Sequence, residues 1–301
     1  MRAGWPILQY LISTLLLGAL LAPPLFYAGQ KAAQFPALHF LGESDFHRYF
    51  SRAMLLAALA LIYPLLRAIG LRDLNAFAFG LRPNPRWWRH LAGGFLIASA
   101  ALALLGLLLA AGGVYYWKEP VPWNLLPRVF IGALTVATLE ESLFRGLLLG
   151  VVMRNARPVP AAVFVSALFA ILHFLKPAGD DVTQVHWYSG FAVIPQVFSR
   201  FSEPELVVAG FVTLFVLGAM LAHVTLASRS LWLAIGLHSG LVFGKMGFNK
   251  IAKRALDVMP WFSADLSIGF GAVLVLLLVW LVSWYLFLRD RSLTPVVERA
   301  P

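Results

Sequence analysis

Two adjacent glutamates, an arginine and two histidines stand inside stretches of this chain that are otherwise apolar. In the run FIGALTVATLEESLFRGLLLGVV, Glu140 and Glu141 are followed four residues later by Arg145. A carboxylate near the middle of a bilayer costs about 2.5–3.5 kcal/mol even on the lenient insertion scale, so two in succession need a chemical reason. Glu141 and Arg145 share one helix face and can pair. Glu140 points about 100° away and cannot use Arg145 in the same way. That division makes Glu140 the candidate general base and Glu141 with Arg145 the candidate stabilising pair. The plainer alternative is a buried Glu–Arg pair that locks helices together or lines a transport path.

The histidines fall in two further apolar segments. His173 ends the run AAVFVSALFAILHFLKP, with Phe169 four residues before it on the same helix face. His238 lies well inside SLWLAIGLHSGLVFG, where Gly236 and Gly240 permit a neighbouring helix to come close. The plainer readings are an interfacial His173 and a His238 hydrogen-bonded across helices. Taken together, two imidazoles and a carboxylate (Glu140, His173, His238) can hold zinc with a position open for water. Without metal, the same groups supply a glutamate base, a histidine partner and a histidine that steadies an oxyanion. Either arrangement activates water and suits amide hydrolysis where bulk water is scarce. His223 is a further candidate, read as interfacial. His39, His47, His90 and His186 fall in or near connections and receive no role.

The elements that must position these groups are membrane helices. The chain has 301 residues, of which 60% are hydrophobic and 13% charged, and its mean hydropathy is +0.79. A soluble domain of this length needs a charged surface that is missing here. Apolar stretches long enough to cross or nearly cross a bilayer recur at about 7–28, 52–70, 92–115, 127–152, 158–175, 206–227, 230–248 and 266–288. The expectation is an all-α polytopic membrane protein of about eight transmembrane helices, forming one membrane domain over 1–301. The first stretch is longer than a signal-peptide core and reads as a span, with Pro23 and Pro24 kinking or ending it. The chain has no cysteine, which excludes disulfides and thiolate chemistry. Its net charge of +10 is scattered over short loops, which favours membrane lipids over nucleic acid as the partner. Arg67, Arg72, Arg82, Arg86 and Arg89, with Arg154 and Arg157, place their connections and both termini in the cytoplasm. The long connection 176–205, with Asp180, Asp181, His186, Trp187 and Tyr188, reads as a lid, a re-entrant segment or an aromatic anchor.

These residues resemble a known family. Glu140-Glu141-x-x-x-Arg145 looks like the first motif of the CAAX-protease and bacteriocin-processing (CPBP) family of intramembrane endopeptidases. Phe169-x-x-x-His173 is similar to its second motif, and His238 in a glycine-flanked helix resembles its third. The resemblance covers about 125–245, the stretch expected to form the catalytic core. It implies an eight-helix fold, a bacterial cytoplasmic membrane, and hydrolysis of membrane-associated or lipidated peptides. It further implies that Glu140, assisted by His173, activates the water. His238 would hold that water or the oxyanion, and Glu141 would support the site or share the base role. Members are described both as metalloproteases and as glutamate proteases, so zinc or no cofactor is implied equally. Val242 departs from the asparagine or aspartate that many members carry four residues after this histidine. Asn249 is about 16 Å further along and too far to replace it, so either another group such as Ser239 or the backbone supplies that contact, or catalysis here differs in detail. Two other functions fit the buried charges. One is a proton-coupled transporter, which predicts repeats and broken helices that the sequence lacks. The other is an inactive scaffold that binds partner helices.

Overall fold

The computed structural model describes residues 4–68, 85–154, 156–175, 177, 182–256, 258–263 and 266–289. Arg72, Arg82, Asp180 and Asp181 lie outside these described residues. The apolar stretches all fold as helices. In chain order the elements are α1 (Gly4–Ala32), α2 (Phe46–Ala60), α3 (Ile62–Ala68), α4 (Trp87–Ala111), β1 (Tyr115–Trp117) and α5 (Leu126–Glu141). A π-helical segment (Ser142–Leu148) and α6 (Leu149–Val152) continue α5 without a break. Then come α7 (Pro158–Phe174), α8 (Ser189–Val197), α9 (Pro204–Ser228), α10 (Trp232–Ile251), β2 (Ala252–Arg254) and α11 (Phe270–Phe287). The short strands β1 and β2 pair antiparallel, with Tyr116 opposite Lys253.

Among the described residues, five helical stretches are long and apolar enough to cross a membrane: Trp5–Ala32, Phe46–Ala68, Trp87–Ala111, Pro204–Ser228 and Phe270–Phe287. Only 22% of the most apolar window of Trp87–Ala111 is buried by protein, and 28% of that of Phe270–Phe287. Leucines such as Leu104, Leu108, Leu274 and Leu281 are more than half exposed on them. So much outward apolar surface is stable only against lipid. The protein is an integral membrane protein. The other three expected spans are helical but fall outside that measure for visible reasons. The α5–α6 stretch carries Arg128, Glu140, Glu141 and Arg145; α7 has 17 residues; α10 contains His238, Lys245, Asn249 and Lys250. Of the two expectations for Pro23 and Pro24, an end to the helix is not what occurs: α1 runs on to Ala32.

The chain divides into two compact units. The first comprises Met1–Leu74 and Leu172–Val207, the second Asn75–Ile171 and Val208–Pro301. Within the first, Ala19 and Ala22 of α1 pack with Phe46, Phe50 and Ala53 of α2 and with Val193 and Val197 of α8. The long connection is therefore folded in part: α8 is seated on that core. Tyr10 donates a hydrogen bond to the Ala58 carbonyl at 2.9 Å and ties α1 to α2.

Within the second unit the core is made by α4, α9, α10 and α11. Ala98, Leu102, Met220, Leu221, Leu233, Leu237 and Val279 meet there. α10 lies almost backbone to backbone on α4. A side chain at Gly236 would come within 2.3 Å of the Leu91 carbonyl oxygen, and one at Gly240 within 2.4 Å of that of Phe95. Only glycine permits this approach. His238 is two residues from each glycine, so it points about 200° away from the α4 contact.

Candidate active site

The local sequence of α5 prepares the change of helix type at the site. Thr138 donates its hydroxyl to the Leu134 carbonyl at 2.7 Å, and Ser142 donates to the Thr138 carbonyl at 2.6 Å. Hydroxyls that bond back to the carbonyl four residues earlier compete with the helix amides and bend the helix. Immediately after Glu141 the backbone becomes π-helical through Leu148. Single π turns inside α-helices are rare and favour functional sites. This one contains Arg145.

Glu141 and Arg145 pair as their spacing predicts. Arg145 Nη1 donates to Glu141 Oε1 at 2.9 Å, and both side chains are fully buried. Arg145 Nη2 donates to the Gly218 carbonyl of α9 at 3.2 Å. The guanidinium lies over the Phe169 ring of α7, 4.5 Å from its centroid. Phe144 meets Phe169 edge-on at 5.0 Å, and Phe169 meets the His238 ring at 6.1 Å. Phe169, the first residue of the second motif, thus forms the apolar floor under the arginine. A cation over an aromatic face is worth about 2 kcal/mol when both are desolvated.

His238 lies between the two glutamates. Its Nδ1 is 2.8 Å from Glu141 Oε1 and its Nε2 is 3.8 Å from Glu140 Oε2. Glu141 Oε1 already accepts from Arg145, so toward the same oxygen His238 Nδ1–H is the donor. The 100° step between consecutive residues puts one carboxylate at each ring nitrogen. Glu140 is the more open of the two, with 24% of its side chain exposed against none for Glu141.

The second unit therefore brings together Glu140, Glu141, Arg145, Phe169 and His238. His173 occupies the last turn of α7, partly buried, in the part of that helix that belongs to the first unit. Ser239 is buried and its hydroxyl donates to the Gly236 carbonyl at 3.0 Å, so its proton is engaged by its own helix. Val242 is partly buried. Asn249 accepts at its backbone carbonyl from Lys118 Nζ at 2.8 Å. His223 Nδ1 accepts from Trp280 Nε1 at 2.9 Å, across α9 and α11. Among the described residues no three His, Cys, Asp or Glu side chains converge as a metal-ligand group. Glu140 Oε2 and His238 Nε2 face each other.

Two contributors escaped the sequence reading. The Gly218 carbonyl is a backbone group with no side-chain signal, although Gly218-x-x-x-Ala222 is a small-residue spacing that marks close helix contact. The Glu141–His238 bond joins residues 97 apart in sequence, and no local spacing reports it.

Residues 122–244 match the family model described as Rce1-like, type II CAAX prenyl endopeptidase. This match agrees with the family resemblance that the motifs of the same stretch carry. The CAAX-endopeptidase match takes in less than half of the chain, and it contains Glu140, Glu141, Arg145, Phe169, His173 and His238. It runs from the turn before α5 to Gly244 of α10, so its ends bracket the buried cluster. No curated protein and no solved structure matches the chain.

Proposed function

We propose that this protein is an intramembrane endopeptidase that hydrolyses peptide bonds with a water activated by Glu140 and steadied by His238. The single observation that carries this reading is the 3.8 Å gap between Glu140 Oε2 and His238 Nε2. The gap is too long for a direct hydrogen bond, and one water oxygen can sit within about 2.8 Å of both atoms. Glu140 takes the proton of that water as its oxygen attacks the scissile carbonyl. His238 is fixed at Nδ1 by Glu141 and turns its Nε2 to the water and then to the oxyanion. Glu140 returns its proton to the leaving amine.

His173 enters the proposal as an assistant to Glu140 because it completes the second motif. The substrate class is a membrane-associated or lipidated peptide, and the home is a bacterial cytoplasmic membrane with both termini inside. The test is a comparison of membrane-protein termini in cells carrying wild type or Glu140→Gln. The reading predicts termini that vanish with the substitution. Identical sets of termini in the two strains contradict it.

A further inference from the structure

Gly218 of α9 lies outside all three motifs, yet it touches the site twice. Its carbonyl accepts from Arg145 Nη2 at 3.2 Å. Its α-carbon faces Ser166 of α7 so closely that an added Cβ would stand 2.9 Å from Ser166 Cβ and 3.0 Å from Ser166 Cα. Ser166 itself is fully buried, with its hydroxyl donated to the Ala162 carbonyl at 2.7 Å. The contact therefore involves the α7 backbone, not the end of a flexible side chain. From these contacts we infer that Gly218 is a positioning residue: the α9–α7 contact fixes the height of its carbonyl, which holds Arg145, which holds Glu141, which holds the His238 ring. The inference rests on the proposed role of His238.

The distances say why a methyl group matters here. An added Cβ reaches ordinary contact with Ser166 only when α9 withdraws by about 0.5 Å, from 2.9 Å to 3.4 Å. The Arg145–Gly218 bond begins at 3.2 Å and is no longer a hydrogen bond at about 3.6 Å. The withdrawal exceeds that slack. Arg145 then either loses the carbonyl or follows it and lengthens its bond to Glu141. In both cases Glu141 Oε1 is no longer held where His238 Nδ1 meets it. Phe169 cannot compensate, because a ring face attracts the guanidinium without fixing it along the helix axis.

The test uses the full-length protein in lipid, with two readouts on each variant. One is cleavage of a membrane-associated peptide. The other is the ring ¹⁵N spectrum of His238, which reports the carboxylate-bonded Nδ1–H whether or not the protein is a protease. Gly218→Ala is expected to lower kcat about 10- to 100-fold, as for a lost hydrogen bond to a charged group, with little change in KM. It is also expected to displace the Nδ1 signal. Adding Ser166→Gly removes the Cβ at 2.9 Å and the hydroxyl but leaves the Cα at 3.0 Å, so it is expected to recover part of both. An unchanged Nδ1 signal in Gly218→Ala overturns the inference. So does a double variant that folds but recovers nothing, and this second result decides the matter if the single variant fails to accumulate. If wild type cleaves nothing while the Nδ1 signal responds as described, the protease reading fails and the positioning role of Gly218 stands.

Discussion

Glu141 and His238, 97 residues apart in sequence, are joined by a 2.8 Å hydrogen bond, and the same Glu141 oxygen receives Arg145 at 2.9 Å. The arginine fixes the carboxylate, and the carboxylate fixes the ring. Glu141 is thus more than a counter-ion. Its partner nitrogen, Nδ1, is the one that leaves Nε2 turned to Glu140.

Glu141→Gln tests that relation. Glutamine keeps the volume and one acceptor but removes the charge that holds two donors on one oxygen. Cleavage is expected to fall about 10- to 100-fold, with the protein still folded, as for the loss of a charged hydrogen bond. Glu141→Ala is expected to cost about 3–5 kcal/mol of stability as well, because it leaves Arg145 buried without its carboxylate. Kinetics and thermal unfolding in the same detergent separate the two effects. Full activity in Glu141→Gln would remove Glu141 from the site.

Arg145→Lys keeps the charge and discards the shape. A lysine ammonium cannot donate in parallel to Glu141 and to the Gly218 carbonyl while lying flat over Phe169. The expected outcome is a loss of about 2 kcal/mol or more in stability, with reduced cleavage. Thermal unfolding of the purified variant checks it. A lysine variant as stable as wild type would mean that charge alone suffices at this position.

How far the site was legible follows from which contacts are local. The Glu141–Arg145 pair was readable because helical spacing four apart is a local rule, and it survives the π turn. The helices themselves were readable from apolar length, and all the expected spans are helical. Which of them cross the membrane was less readable, because the helices bearing the site carry the charges that lower their apolarity. At Pro23 and Pro24 the sequence left a kink and an end both open, and α1 continues through them to Ala32. The role of Gly218 was invisible, because a backbone acceptor leaves no mark in spacing; Phe169 was marked by the second motif, but its ring under Arg145 was not. Glu140 and Glu141 were expected to need different partners. They share one, His238, at opposite ring nitrogens.

Metal dependence is open to direct measurement. A water held between Glu140 Oε2 and His238 Nε2 needs no metal, so the expected result is that exhaustive chelation leaves cleavage unchanged. Activity lost to a chelator and restored by zinc would require a third ligand and would redraw the site.

The most direct test of the central claim is hydrolysis by the purified protein in liposomes. The substrate is a lipidated peptide ending in a CAAX sequence, and wild type is compared with Glu140→Gln and His238→Ala. The account predicts cleavage by wild type and a loss of about 100-fold or more in each variant, the range for a general base or an oxyanion donor. Cleavage by Glu140→Gln at the wild-type rate would contradict it.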